Sequence, residues 1–179
     1  QLQVVSLKDA SINTEIPEPF DTLEENASIK SRTIHELTGL NCFSEDTGLE
    51  VDALNGEPGV KSARYAGEEK SFEHNIDKLL DKLAGSPDRN AHFRTVISLI
   101  WNEKEYLFEG TCEGRITYKK KGVSGFGYDP IFAPAGSDRT FGEMTMDEKN
   151  QFSHRKKAAD KLIHFLTEQK IPASVNKTI

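Results

Sequence analysis

Residues 93–101, Phe-Arg-Thr-Val-Ile-Ser-Leu-Ile-Trp, form a rich apolar run of strand length, with β-branched Thr95, Val96 and Ile97 side by side. Such a run is too short for a buried helix and reads as a strand buried in a sheet. Asn102 to Glu105 turns the chain and Tyr106-Leu-Phe-Glu109 brings it back. Gly110 interrupts, and Cys112 to Tyr118 supplies a further extended piece. This is an antiparallel meander, and whatever else the chain forms must pack against it.

Helices flank the meander on both sides in sequence. Thr22-Leu-Glu-Glu25 has the spacing of a capping box and opens a helix that ends at Gly39. Residues 71–84 make the clearest helix, with Phe72, Ile76, Leu79, Leu80 and Leu83 on one face and Gly85 at its end, and its role reads as structural. Thr145-Met-Asp-Glu148 predicts a short helix through Asn150, and Ser153 caps a last helix whose core face is Leu162, Ile163, Phe165 and Leu166. Residues 1–7 read as a strand, and 40–44 as a short strand running into Glu45-Asp46-Thr47-Gly48. Leu49 to Leu54 continues as an extended or helical piece, and residues 171–179 read as a frayed tail. No repeat or linker divides the chain. The expectation is one α/β or α+β domain over residues 1–179, built on a mixed β-sheet flanked by helices.

With 23 basic and 29 acidic side chains the net charge is −6, which argues against general affinity for nucleic acid or a membrane surface. A small anionic ligand remains compatible, provided basic groups gather locally and acidic ones hold a metal. No apolar run approaches the length needed to span a bilayer, and the stretch through Asp9 lacks the basic-then-apolar pattern of a signal peptide. Cys42 and Cys112 make neither a metal motif nor a disulfide framework and read as small buried residues in a reducing, cytoplasmic setting. The chain opens at Gln1 rather than Met, as a piece of a longer protein would.

Four places carry candidate chemistry. On the first helix, Leu23, Ala27, Ile34 and Leu37 form an apolar stripe, yet Lys30 falls inside it and Asn26 at its edge. Either the lysine snorkels out, or it points into a cavity where an anion neutralises it. Glu45 and Asp46, at a strand end before a Thr-Gly turn, either hold a hard cation and orient water or simply cap that turn. The acidic loop Glu15, Glu18 and Asp21 would supply the second half of a magnesium site. In Ser124-Gly-Phe-Gly-Tyr-Asp-Pro-Ile-Phe132, glycines bracket Phe126, so the segment is either a turn entering a strand or a loop presenting a ring to a planar ligand. His154 and Arg155 place basic groups at the unfavourable end of the helix dipole. If the ends converge, they and Lys149 become donors round the Phe126 loop, suited to a purine with a keto oxygen at its six position.

Taken together, the segments Glu-Asp-Thr-Gly-Leu-Glu-Val-Asp-Ala-Leu (45–54), Gly-Glu-Pro-Gly-Val-Lys-Ser-Ala-Arg-Tyr-Ala-Gly (56–67), Gly-Phe-Gly-Tyr-Asp-Pro-Ile-Phe (125–132) and Glu-Lys-Asn-Gln-Phe-Ser-His-Arg (148–155) resemble the Ham1-like, inosine triphosphate pyrophosphatase family. The resemblance runs from about Glu15 to the final helix. It implies an elongated sheet in two lobes with a cleft between them. It also implies a magnesium-dependent homodimer that cleaves ITP, dITP and XTP to the monophosphate and pyrophosphate. By position, Asp46 matches the general base and metal aspartate, with Glu45 beside it, and Glu18 matches the second metal carboxylate. Lys30 matches a phosphate-binding lysine and Thr47 a substrate contact. Phe126, Gly127, Tyr128 and Asp129 match the base-binding loop, and Lys149, His154 and Arg155 the base-recognising donors.

In that family a strand and a Thr/Ser-x-Asn-x-x-Lys loop cradling the phosphates come first. The expectation is therefore a domain lacking its N-terminal strand and phosphate loop, since Asn75-x-x-Lys78 lies on the structural helix. Two other functions follow from the same residues. One is a catalytically impaired nucleotide-binding dimer. The other is an unrelated magnesium phosphohydrolase, which base selectivity would separate.

Overall fold

A computed structural model describes residues 2–169. The expected hairpin is its spine. β3 (Asn90–Trp101) and β4 (Lys104–Ile116) are joined by Asn102 and Glu103, both at positive φ (51° and 63°), as a tight two-residue hairpin turn requires. β1 (Cys42–Val51) lies on the other side of β3 and pairs along its full length. Two short strands, β2 (Pro58–Gly59) and β5 (Phe132–Pro134), complete the order β2-β1-β3-β4-β5. All four ladders are antiparallel, so within the expected α/β fold the sheet of the described residues is not mixed in strand direction.

Among the described residues four α-helices clothe it: α1 (Leu23–Thr38), α2 (Phe72–Lys82), α3 (Met146–Asn150) and α4 (His154–Glu168). Their ends are where the caps predict. Thr22 Oγ1 accepts from the Glu25 amide, and Gly39 closes α1 at φ 68°. Thr145 and Glu148 form a reciprocal capping box. Asn26 is buried and clamps the preceding loop, its amide accepting from the Phe20 N–H and donating to the Phe20 carbonyl. Leu37, assigned to the apolar stripe, is 58% exposed, because the stripe runs past the sheet that buries Leu23, Ala27 and Ile34.

Further expectations change, among them Ile163, assigned to the core face of the last helix but 56% exposed. Among residues 1–7, only an isolated bridge at Val4 forms within the described part, and 171–179 lie outside the described residues. Residues 45–48 are neither a strand end nor a turn but the middle of β1. Gly110 does not interrupt β4, which is continuous through it. A Cβ at Gly110 would lie 2.1 Å from the His154 carbonyl oxygen and 2.5 Å from the Ala158 nitrogen, so this glycine lets α4 dock on the sheet. Both cysteines are free and buried, as expected.

The pleat divides the core. One face of the sheet carries α1, with Leu23 and Ala27 against Val96, and Ile34 against Cys42 and Ile100. The opposite face carries two bodies. Ala158 and Leu162 of α4 cover Ile97, Leu99 and Trp101. Ile76, Leu79 and Leu83, with Tyr128, Phe132 and Phe141, cover Leu49, Val51 and Ala91. The cleft lies between these two bodies.

Because the atoms crowding Gly110 are main chain, Gly110→Ala cannot be relieved by a rotamer change. It should lower stability by about 1–3 kcal/mol or more, read as a reduced urea midpoint. An unchanged midpoint would refute this account of the α4 contact.

Candidate active site

Adjacent residues of β1 face opposite ways, and each face holds one half of the candidate chemistry. On the α1 face, Lys30 Nζ donates to Glu18 Oε1 at 2.6 Å and to Asp46 Oδ1 at 3.0 Å. The Lys30 side chain is 19% exposed, so it is turned inward onto carboxylates rather than snorkelling to solvent. Arg64 Nη1 lies 3.7 Å from the other oxygen of Glu18. Burial holds the Asp46 carboxyl above its ordinary range, and the Lys30 ammonium offsets this only in part. For Glu18 burial acts the same way, but the Lys30 hydrogen bond and charge, with Arg64 and Lys70, pull it below the usual value. Burial alone would lower the Lys30 ammonium, and its two carboxylate partners raise it instead.

Two carboxylates round one cation present hard oxygen donors. Among the described residues no group of three or more His, Cys, Asp or Glu could hold an ion unaided. That donor set fits an ion such as magnesium, which takes one or two carboxylates and draws the rest of its shell from water and phosphate.

On the opposite face a cavity of about 500 Å³ opens between the two core bodies, a volume suited to a small organic ligand. Thr47, Leu49 and Phe93 floor it, and Phe126, Gly127, Tyr128, Asp129, Lys149, His154 and Arg155 stand round it. Gly125 and Gly127, at φ 82° and 58°, carry Phe126 out to 55% exposure. Asp129, almost fully buried, anchors this loop: its Oδ2 accepts from the Phe126 amide at 2.8 Å and from Lys149 Nζ at 2.5 Å. The Lys149 ammonium lies 4.8 Å from the Phe126 ring centre. Tyr128 is buried and donates its hydroxyl to the Ser62 carbonyl, so it fixes the wall instead of offering that group to a ligand.

His154 is the unusual member. It is 6% exposed, stacks on Phe93 at 5.0 Å, and neither ring nitrogen has a hydrogen-bond partner. Unpaired buried polar atoms are costly and call for a partner. Burial, with the nearby charges of Arg155, Lys149 and Lys157, pushes its pKa down to about 3. It is therefore neutral near pH 7, with one N–H and one bare nitrogen. Arg155 donates from Nε to Glu45 Oε1 at 3.0 Å, and its guanidinium centre lies 5.8 Å from the Phe126 ring centre.

The structure thus brings Glu18, Lys30 and Asp46 together, and gathers Thr47 and the 126–129, 149 and 154–155 residues round one cavity. It does not bring Glu45 to Asp46. A two-residue period sends Glu45 to the other face, where it pairs with Arg155, so its expected metal role is not supported. Asn75 and Lys78 are structural as expected, since both bind the 63–66 turn. Sequence reasoning missed Arg64, although it sat in a quoted motif, and Phe93, hidden as one more apolar strand residue.

The chain matches the model of the Ham1 family over residues 1–165. It is similar to the dITP/XTP pyrophosphatase of Flavobacterium johnsoniae, with 48% identity over 94% of this chain and 88% of that one. The corresponding protein of Porphyromonas gingivalis is 47% identical over 93% and 86%. The solved structure of the Staphylococcus aureus Ham1 protein superposes with a TM-score of 0.90 at 43% identity, over 94% of this chain and 88% of that one.

The depressed imidazole has a measurable consequence. An unfolded His154 takes up a proton near pH 6.5 and the folded one only near pH 3. Between those values the unfolded state binds the extra proton, so acid favours unfolding. The contribution is fully present above 6.5 and is lost at up to about 1.4 kcal/mol per pH unit below it. NMR of labelled histidine should find this ring neutral down to pH 5. A midpoint near 6.5 would overturn the assignment.

Proposed function

The chain belongs to the Ham1 family, and on that premise we propose that it hydrolyses ITP, dITP and XTP to the nucleoside monophosphate and pyrophosphate, removing them from the nucleotide pool. The observation that carries this is the pairing, on successive residues of one strand, of a charged lysine–carboxylate site with an aromatic cavity of base size. We propose further that it works as a single domain, as a cytoplasmic homodimer, with magnesium as its ion. The impaired-dimer reading is not favoured.

In this reading the base enters the cavity and the triphosphate reaches Lys30 round the outer edge of β1, of which β2 covers only Leu49 and Glu50. The Lys30 ammonium then spreads phosphate charge. A bound magnesium ion, held by Glu18 and Asp46, would supply further neutralisation of the triphosphate and of the departing pyrophosphate. Asp46, whose basicity burial increases, accepts the proton of the attacking water. Oxygen from water bonds to phosphorus as the α–β anhydride bond breaks, and that electron pair leaves with pyrophosphate.

Base selection falls to the opposite face. Phe126 offers a stacking surface and Thr47 a polar contact at the floor. Neutral His154 can either donate or accept, so it tolerates a keto or an amino group. Arg155 only donates, and with Nε bound to Glu45 its terminal nitrogens remain as donors. A six-keto oxygen satisfies a donor there, whereas an adenine amino group leaves donors facing donors. Lys149, held by Asp129, adds positive charge beside the ring.

Two outcomes are expected. Pyrophosphate release from ITP should require magnesium, cease with EDTA and fall by orders of magnitude in Asp46→Asn, while that variant still binds IMP; near-normal turnover would remove Asp46 from the chemistry. ITP and XTP should be turned over far more efficiently than ATP, and Arg155→Ala should narrow that gap. Equal kcat/KM for ATP and ITP would defeat the proposal.

A further inference from the structure

Phe72 shares its helical stripe with Ile76, Leu79 and Leu83, and all three of those are buried in the core. Phe72 is instead 51% exposed, because it is the first residue of α2 and overhangs the end of that core. It faces the cavity, with its ring centre 6.5 Å from that of Phe126 and the two planes tilted by 47°. A large apolar ring left half in water beside a second one has surface to bury, and its packing inside the protein leaves that unmet.

We infer that Phe72 is a substrate-binding residue that contacts the purine as a second aromatic wall opposite Phe126. This rests on the nucleotide-hydrolysis reading above. Aromatic planes in contact lie about 3.5–4 Å apart, so a base between two rings needs about 7–8 Å. The observed separation is roughly an ångström short, so the two rings must turn apart to admit a base. The backbone is in fact well tied. Ser71 caps α2 by accepting from the His74 amide, and Asn75 accepts from the Ala66 N–H at 2.6 Å and donates to the Ala63 carbonyl at 2.9 Å. Ser62 of the same turn accepts the Tyr128 hydroxyl at 2.9 Å. The two segments that carry Phe72 and Phe126 are thus linked through the 62–66 turn, so the backbone beneath both rings is fixed relative to the cavity.

Steady-state kinetics of Phe72→Ala, Phe72→Leu and Phe72→Tyr with ITP, each with inhibition by inorganic tripolyphosphate, test this. Phe72→Ala should raise KM for ITP roughly tenfold with little change in kcat. Phe72→Leu should fall between, Phe72→Tyr should match the parent, and inhibition by tripolyphosphate, which has no base, should not change. A KM within twofold of the parent in Phe72→Ala, or an equal loss of tripolyphosphate inhibition, overturns the inference. Phe72→Trp adds a readout that does not need turnover, since Trp101 is buried and gives a constant background. Saturable quenching by IMP supports the aromatic wall, and its absence at saturating IMP rejects it. If the parent hydrolyses no ITP, the functional reading fails separately while this binding measurement still decides.

Discussion

A pleated strand sends neighbouring side chains to opposite faces, and the working parts of this protein depend on that rule at Glu45, Asp46 and Thr47. Asp46 meets Lys30 of α1, while on the other face Thr47 lines the cavity and Glu45 pairs with Arg155 of α4. Both helices must therefore dock on the same strand system from opposite sides. β1 is held in register by β3 along its whole length, and a slip of one residue would exchange the two chemistries. Two glycines permit the close approaches this needs. Gly110 admits the start of α4, and Gly48 admits β2, since a Cβ there would lie 2.5 Å from the Gly59 carbonyl oxygen.

The charged half of the site is costly to hold and is held by mutual neutralisation. A half-buried ammonium between two carboxylates keeps most of its interactions only while all three are present. Removing one partner from such a cluster leaves an uncompensated charge, which is worse than having no cluster. Arg64 extends it by bringing a second cation to Glu18 from the turn after β2. The two carboxylates differ in outcome for a structural reason. Glu18 sees Lys30, Arg64 and Lys70, whereas Asp46 is more enclosed and also feels Glu18. The more basic of the two is the one on the strand that β3 holds along its whole length.

Much of this was legible because local signals and tertiary demands agreed. The hairpin, the Thr22 and Thr145 caps and the Gly39 stop are short-range features, and they formed as the residues suggest. Lys30 was legible as a contradiction, a charge inside an apolar stripe, though not its two partners. What failed were inferences from single residues whose meaning is set at long range. Gly110 looks like a break and is a docking point, because the atoms it accommodates lie more than forty residues away in the chain. Glu45 looks like a partner for Asp46, because adjacency in sequence conceals the pleat. Phe72 looks like core, because periodicity identifies a face but not where the core beneath it ends. Arg64 carried no local anomaly.

The start of α4 shows how a local penalty becomes a recognition device. Four basic residues, His154 to Lys157, open α4 at the positive end of its dipole, at about 0.3–1 kcal/mol each when charged and exposed. For His154 and Arg155 the penalty is relieved. His154 gives up its charge, driven by burial and by Arg155, Lys149 and Lys157. Arg155 keeps its charge and leans on Glu45. What remains is a helix start with an imidazole whose two nitrogens are unpaired and a guanidinium only partly engaged. Each unmet N–H there calls for an acceptor, and the bare imidazole nitrogen calls for a donor. The burial that silences His154 thus leaves a neutral ring that can donate from one nitrogen and accept at the other.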